Sequence, residues 1–311
     1  MDGADPARGR AEPGGLSGVA EAAPDNWRGA VLLVAAAGMF TAEVVGFRSL
    51  GEGLSDGQIV FARAASQLIC VAPLVLLGGW RLMATRKPGL HLARGLVSLL
   101  CWVLYYQSFR VLDLSLATTL TFSTSLFVVA LAAPVLGERV GGFRWATTAV
   151  GFLGVALAAG ALEARLEPGV LVGLGAAASG AVLVFLNRML SRTEKTLAIM
   201  AWISVITTLG TAPVAALDWR PVEIETIALL LLCGALGTCG MFLTIEAYRV
   251  GEVSALAPFP YVRLVFAAAA GWLLFSETPD AQTIAGGLVI VGCALAATRR
   301  ERRRGLAAPQ R

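Results

Sequence analysis

The chain has 311 residues, of which 57% are hydrophobic and only 15% charged, whereas soluble domains average about 45–50% apolar and about 25% charged residues. This composition, with a mean hydropathy of +0.73, excludes an ordinary water-soluble enzyme or binding domain. The formal net charge of +4 is attributed to membrane topology rather than to nucleic-acid binding, because Lys and Arg collect in the loops on one side of membrane proteins.

The order of the predicted elements is simple. Residues 1–28 are rich in Gly, Pro, Ala and charge, which is typical of a disordered tail, and residues 299–311 form a basic tail. Between them lie ten apolar stretches, each near the ~20 residues that a helix needs to cross ~30 Å of hydrocarbon. They are predicted at 29–50, 57–79, 90–111, 115–136, 144–162, 168–190, 195–216, 224–247, 253–275 and 280–298. The chain is therefore predicted to be an all-α integral membrane protein with ten transmembrane helices.

Lys and Arg are unevenly distributed between the loops. If the N-terminus is cytoplasmic, eighteen of the 25 Lys and Arg residues fall on the cytoplasmic side and four on the outer side. Three more, Arg63, Arg94 and Arg263, lie within predicted helices. The positive-inside rule therefore predicts that both termini are cytoplasmic, in agreement with the even number of helices.

The second half of the sequence repeats the first. SFRVLDLSLATTL is echoed by AYRVGEVSALAPF 139 residues later, and the same offset places Glu138 on Glu277. This repeat divides the membrane region into 29–162 and 163–298, with five predicted helices each. Because five is odd, the second half is predicted to lie upside down relative to the first. Inverted repeats around a central cavity are typical of secondary transporters.

The stretch APFPYVRLV in the ninth helix combines Pro258, Pro260 and Arg263. Each proline removes a backbone donor and frees a carbonyl one turn earlier. A broken helix is tolerated in a membrane only against protein or a water-filled cavity, and a mid-membrane charge also needs a cavity or a partner. We therefore interpret this segment as lining a substrate pathway. A packing kink with Arg263 in a structural salt bridge is the alternative.

The related segment of the fourth helix, ATTLTFSTS, carries Thr118, Thr121 and Ser125 on one helical face. These hydroxyl groups are predicted to face the same central space as Arg263. The aromatic residues Tyr261 and Trp202 are deep enough to stack on a flat substrate, although packing in the core or against lipid is the alternative for both.

Glu43 and Arg63 lie at matching depths in the first two helices, about 10 Å below the outer edge at 1.5 Å per residue. They are predicted to pair, because an unpaired buried charge is costly. The pair is either structural or part of a gating or coupling device. Arg94 and Asn187 fall near the cytoplasmic ends of their helices, where snorkelling or helix capping is predicted.

No metal, cofactor or ATP-binding site is predicted. The five cysteines lie inside apolar stretches without a C-x-x-C pair, the chain has one histidine, and the phosphate-binding motif G-x-x-x-x-G-K-[ST] is absent. An integral-membrane enzyme acting on lipids would need clustered Asp, His or metal ligands, which makes it a remote alternative. A channel or a non-transporting sensor would not need an inverted repeat.

Three stretches resemble the drug/metabolite transporter superfamily, in its ten-helix branch with two EamA-type repeats. They are GQIVFARAASQLI, YYQSFRVLDLSLATTLTFSTSLFVVALAAPVLGERVG and APFPYVRLVFAAAAGWLLFSETPD. The most specific part is Gly137–Glu138, echoed as Ser276–Glu277, in which serine replaces the usual glycine.

The resemblance implies ten helices around a central cavity with alternating access, in a bacterial inner membrane. It implies transport of a small polar organic metabolite such as an amino acid, a vitamin like riboflavin or an S-adenosylmethionine-like solute, with drug or metabolite export as the alternative. The solute and membrane lipid are the expected partners, without nucleic acid, and a homodimer is compatible with this architecture.

Overall fold

The computed structural model describes residues 24–50, 54–112, 114–158, 161, 169–276, 278 and 280–307. The tail residues 1–23 and 308–311 and the predicted repeat partner Glu277 lie outside this part of the chain. The helices are α1 (Asn26–Ser49), α2 (Asp56–Gly78), α3 (Pro88–Val111), α4 (Leu114–Phe122), α5 (Thr124–Leu136), α6 (Gly142–Ala158), α7 (Val170–Ser191), α8 (Thr196–Leu217), α9 (Ile224–Val250), α10 (Val253–Leu256), α11 (Val262–Phe275) and α12 (Ala281–Ala307).

These helices form ten membrane spans. Nine described segments are long and apolar enough to cross a bilayer, and the shorter apolar helix α6 is the tenth. Two spans are composite, since α4 continues into α5 and α10 continues into α11. Large side chains such as Leu77, Leu171 and Leu217 protrude from the bundle without protein cover, as expected of surfaces that face hydrocarbon. The predicted all-α fold with ten transmembrane helices is confirmed.

The main helix contacts join the two halves of the chain. The most extensive pairs are α1 with α9, α2 with α8, α6 with α12 and α3 with α7. The sequence repeat relates α1 to α7 and α3 to α9, so exchanging the halves converts the α1–α9 pair into the α7–α3 pair. The same exchange returns the α2–α8 and α6–α12 pairs to themselves. This exchange symmetry is what an inverted repeat requires.

The fourth and ninth spans end in the same kind of turn. Gly137 follows α5 with φ 70° and ψ 18°, and Ser276 follows α11 with φ 56° and ψ 25°. Both residues are left-handed helix caps, a conformation that favours glycine because it lacks a Cβ atom. Ser276 adopts it nonetheless, so the second copy of the turn keeps the geometry of the first at the cost of backbone strain.

The ninth span is interrupted at Pro258 and Pro260, where a 3₁₀ turn at Phe259–Tyr261 separates α10 from α11. Residues 253–259 are all buried, so protein rather than lipid covers the irregular backbone, as a break inside a bilayer requires. The largest hydrophobic cluster surrounds this break and includes side chains from α1, α5, α6, α7 and α12. The interruption therefore lies in the core of the bundle.

The fourth span is also interrupted, between α4 and α5 at Ser123, although it has no proline there. Ser123 N–H lies within hydrogen-bond distance of both Thr119 O and Leu120 O. The Thr124 hydroxyl donates to Thr121 O at 2.8 Å. Side-chain bonds of this kind compete with the helical ladder. Both repeat-related spans are thus divided, one by prolines and one within a run of hydroxylated residues.

Candidate functional site

A cavity of about 70 Å³ lies inside the bundle between α2, α3, α7, α8 and α9. Its polar lining comes from Arg63, Gln67, Arg94, Ser98 and Thr238. This space is well below the ~300–1,000 Å³ of typical ligand pockets, so it must widen before a metabolite can pass.

Glu43 of α1 and Arg63 of α2 form an ion pair at the edge of this cavity. Arg63 Nε lies 2.7 Å from Glu43 Oε1, and Arg63 Nη2 donates to Oε2 at 3.2 Å. The first contact is electrostatic only, because its geometry is not that of a hydrogen bond. The Glu43 side chain is 2% exposed and that of Arg63 34%. The predicted pairing is confirmed, whereas its part in gating or coupling stays a prediction.

Phe40 brings the second predicted arginine to the same place. The guanidinium carbons of Arg63 and Arg263 lie 5.8 Å and 5.6 Å from the centre of the Phe40 ring, within the range of cation–π attraction. Arg263 also interacts electrostatically with Glu43, but among the described residues it forms no ion pair with a carboxylate. We call Phe40, Glu43, Arg63 and Arg263 the central site.

Glycines of α9 make room for the central site. A Cβ atom on Gly237 would run into the Glu43 carboxylate, and one on Gly240 would meet the Phe40 ring at about 3.0 Å. One helical turn away, Gly234 accommodates Ser66 of α2 in the same manner. These three glycines of α9 therefore allow α1 and α2 to approach it closely enough to bury an ion pair.

Arg94 is the residue that the sequence interpretation misplaced. It is 3% exposed, its Nε donates to Asn187 Oδ1 at 2.8 Å, and its Nη1 donates to the Ser98 hydroxyl. The prediction of snorkelling or capping was wrong, because Arg94 turns into the bundle and lines the cavity instead of extending to the membrane surface.

The hydroxyl face of the fourth span is only partly described, since the side chain of Thr118 lies outside the described part. The Thr121 hydroxyl donates to Ala117 O of its own helix at 3.0 Å. Ser125 is buried. Neither Thr121 nor Ser125 is among the cavity-lining residues in this conformation.

Tyr261 is fully buried in the packing between the two broken spans and α6. Its hydroxyl donates to Thr148 O at 3.3 Å, its ring stands edge-on to Phe122 with centroids 6.0 Å apart, and it fills the space that a Cβ atom on Gly151 would need. In this conformation Tyr261 is therefore a packing residue.

Trp202 lies in a different region. It stacks on His91 with centroids 5.5 Å apart, and its indole N–H donates to Met83 O at 3.1 Å. The structure thus brings Glu43, Arg63 and Arg263 together, whereas Trp202 is not joined to them.

A polar network holds the end of the bundle where α1 begins, which we call the terminal face. Glu138 accepts hydrogen bonds from Val253 N at 2.8 Å, Ser254 N at 2.9 Å and the Ser254 hydroxyl at 2.6 Å. Arg144 donates to the Ser254 hydroxyl at 2.9 Å and forms an ion pair with Glu252. The carboxylate of the first-half Gly-Glu motif therefore caps the start of the interrupted ninth span, a role that the sequence motif did not reveal.

The same network includes the first helix, because Asn26 Oδ1 accepts from Glu252 N at 2.7 Å. The end of α12 also reaches this face, where the Arg300 guanidinium lies 4.1 Å from the Phe143 ring centre. Within the part of the chain that the structure describes, no group of three or more His, Cys, Asp or Glu side chains could hold a metal ion.

Comparison with known proteins decides the family. The model of the EamA-like transporter family matches residues 27–160 and again residues 167–298. This chain belongs to the EamA-like transporter family. A solved crystal structure with 19% sequence identity has the same fold, with a TM-score of 0.75 over 90% of this chain and 99% of that chain.

Curated relatives of this transporter include proteins of different named substrates. The S-adenosylmethionine uptake transporter of Rickettsia bellii is 28% identical over 79% of this chain and 84% of the relative. The pseudopaline exporter of Pseudomonas aeruginosa is 29% identical over 87% and 96%. The riboflavin transporter of Rhizobium johnstonii is 28% identical over 73% and 75%.

These findings identify a multi-pass membrane protein that transports small metabolites and is not an enzyme. The named relatives include both uptake and export proteins.

Proposed function

We propose that this EamA-family transporter moves a small polar organic metabolite across a bacterial inner membrane by alternating access, with both termini in the cytoplasm. The bacterial sources of its relatives support a location in a bacterial inner membrane. The excess of Lys and Arg on one side supports the orientation. In this orientation the terminal face is cytoplasmic, and the start of α2, seven residues before Arg63, lies at the periplasmic face.

One observation carries the proposal. Arg263 sits beside the Glu43–Arg63 pair and shares the Phe40 ring with Arg63, without a carboxylate of its own among the described residues. A buried cation is expensive in a membrane, and one that is retained there marks a substrate or ion pathway. The planar guanidinium binds carboxylates and phosphates with two hydrogen bonds. Arg263 is therefore the proposed contact for an anionic group of the solute.

Polar connections between helices near the two ends of the bundle are the proposed gates. The Glu43–Arg63 pair is the proposed outer gate or coupling element, because it joins α1 to α2 about 10 Å from the periplasmic end of α2. At the cytoplasmic end, Glu138 joins the loop after α5 to the start of α10. Opening the pathway to the cytoplasm would require this connection to break, and the interrupted fourth and ninth spans supply hinges for such a change.

The other predicted substrate contacts would form in a second conformation of the transporter, in which the helices are rearranged. Thr118, Thr121 and Ser125 would offer hydroxyl groups to the solute once the fourth span bends at Ser123. Tyr261 would follow the same hinge movement, because its ring packs edge-on against Phe122 of α4. Trp202 has the weakest support, since its ring and its N–H are engaged with His91 and Met83.

The test begins with the thermal stability of the purified full chain against amino acids, riboflavin, S-adenosylmethionine and nucleotides. A ligand at one hundred times its Kd stabilises the folded state by about 2.7 kcal/mol, which appears as a higher midpoint. Compounds that stabilise the protein are then loaded into proteoliposomes for counterflow of the labelled compound. Loading from the inside or the outside of oriented vesicles distinguishes uptake from export, which is the alternative direction.

The decisive variant is Arg263→Ala, with Arg86→Ala as the matched control because Arg86 is an exposed loop arginine. We expect Arg263→Ala to insert normally and lose counterflow, and the control to retain it. Normal counterflow by a well-expressed Arg263→Ala protein would remove Arg263 from the site. Channel-like flux without saturation or counterflow would contradict the carrier mechanism itself.

A further inference from the structure

Around the cavity and the central site, the described membrane interior has more arginines than carboxylates. Arg63, Arg94 and Arg263 lie within the bundle, with Arg94 buried and the other two partly buried, and Glu43 is the carboxylate that faces Arg63 and Arg263. Three guanidinium groups against one carboxylate leave an excess of two positive charges among these described residues. Uncompensated buried charge is costly, so this excess needs an explanation that packing alone does not supply.

Arg94 contributes to the excess in a specific way. It is 3% exposed, and its partners Asn187 and Ser98 are neutral. A guanidinium has five N–H donors, and these two bonds use one on Nε and one on Nη1. Three donors therefore remain without a protein acceptor among the described residues, while the side chain lines the cavity.

Arg63 and Arg94 approach the same cavity from opposite sides of the membrane. Arg63 lies seven residues after the start of α2, and Arg94 six residues after the start of α3. At 1.5 Å per residue each is about 10 Å from its own end of the bundle. α2 and α3 run in opposite directions through the membrane. Arg63 therefore lines the periplasmic part of the cavity, and Arg94 lines its cytoplasmic part.

We propose that Arg94 is a second anion-binding subsite of the transport pathway and that the solute is a small organic dianion, with carboxylates as its charged groups. One carboxylate would bind at the central site and the other at the free donors of Arg94, which together neutralise the excess of two charges. This inference rests on the proposed transport function and names its substrate class. Asn187 and Ser98 are the positioning residues that direct the guanidinium into the cavity.

A site of this kind would discriminate between solutes by their charge rather than by their shape. A neutral solute would leave both cations uncompensated, and a cationic solute would add a further positive charge to them. A planar fork of donors can bind the two oxygens of a carboxylate through two parallel hydrogen bonds. Gln67 and Thr238 add neutral polar groups to the lining of the same cavity.

A size-matched series of probes tests this charge preference. Adipate, its monoamide and its diamide have the same chain length and carry two, one and no negative charges. Affinities are measured from the concentration dependence of the thermal midpoint, and counterflow is measured in proteoliposomes. Riboflavin and S-adenosylmethionine are measured in parallel as neutral and positively charged probes. We expect adipate to bind at least tenfold more tightly than the monoamide.

Asn187→Asp is the decisive variant, because it is nearly isosteric and places a carboxylate against Arg94. It is expected to lower adipate affinity at least tenfold and monoamide affinity less than twofold, with an unliganded midpoint no lower than that of the parent protein. Arg94→Gln should have the same effect on adipate. The exposed control Arg86→Gln should change neither affinity by more than twofold.

The outcomes distinguish this inference from the transport proposal. Unchanged adipate affinity in a folded Asn187→Asp protein would exclude the Arg94 subsite. Counterflow of riboflavin or S-adenosylmethionine without adipate binding would overturn the dianion and leave the transport function standing. Absence of counterflow for every probe would count against the transport function as well.

Discussion

The central site and the terminal face use charged residues in opposite ways. At the terminal face, each carboxylate has matched donors: Glu138 binds three groups of Val253 and Ser254, and Glu252 pairs with Arg144. At the central site, Glu43 pairs with Arg63 and leaves Arg263 without a carboxylate among the described residues. In the first region the carboxylates have hydrogen-bond or ion-pair partners that join helices, whereas the second region has spare positive charge.

Under the proposed function, the terminal face is a structural network and the central site is the part that binds the solute. A satisfied buried network fixes one arrangement of the helices. A buried site with unmatched cations keeps binding capacity at the cost of stability. Variants in these two regions, and at the glycines and turns that support them, test this difference.

Arg63→Leu should be the most damaging change, because it leaves the Glu43 carboxylate buried without its main partner. Breaking a buried pair costs 3–5 kcal/mol, and the partial exposure of Arg63 suggests the lower end, about 3 kcal/mol. The measurement is the unfolding free energy in mixed micelles. The double variant Arg63→Leu with Glu43→Gln should recover most of the loss, and a double variant as unstable as Arg63→Leu alone would contradict the pairing account.

Glu138→Ala should cost about 2 kcal/mol, because it leaves two backbone N–H groups and the Ser254 hydroxyl of the ninth span unpaired. It should also increase protease or alkylation access at the terminal face, since this network joins α1, α6 and the ninth span. Glu225→Ala, at an exposed position in the first turn of α9, is the control and should cost less than about 1 kcal/mol. Equal losses in the two variants would show that the network is not a connecting element.

Gly237→Ala should destabilise by about 1–3 kcal/mol, the usual range for overpacking, because its Cβ atom would enter the space of the Glu43 carboxylate. Gly287→Ala in α12 is the matched control, since a Cβ atom there meets nothing within 4 Å. That control should be neutral or stabilising by up to about 1 kcal/mol, because alanine favours helices. Similar thermal midpoints for the two variants would exclude the close packing of α9 on Glu43.

Ser276→Gly should give the smallest effect and the opposite sign. It removes a Cβ atom from a residue with φ 56° and should stabilise the protein by about 1 kcal/mol. Gly137→Ala, at the related turn with φ 70°, should destabilise by a similar amount. If Ser276→Gly lowers the midpoint, the serine side chain has a role that compensates its strained backbone.

Sequence reasoning predicted those features that depend on position along a helix. Hydropathy located the spans, and residue depth was sufficient to pair Glu43 with Arg63. The prolines of APFPYVRLV indicated the interruption of the ninth span, because their effect on the backbone is local. The internal repeat predicted two inverted halves, and the helix pairs have the exchange symmetry that such halves require.

Features that depend on direction around a helix, or on distant partners, were harder to predict. Depth placed Arg94 near a membrane surface, but it could not show that the side chain turns inward toward Asn187, 93 residues later. Glu138 belongs to a recognisable motif, but the N–H groups that donate to its carboxylate lie 115 and 116 residues further along the chain. Trp202 has the depth of a stacking residue, but its helix face directs it to His91.

The cross-half pairing of the helices also determines the order of assembly during synthesis. The first five helices emerge from the ribosome before α7, α8, α9 and α12, which supply their most extensive contacts. The first five spans are therefore in the bilayer before the partners of their most extensive contacts. The α9 glycines that make room for Glu43 and Phe40 also arrive with the second half, so the central site is completed when α9 joins α1 and α2.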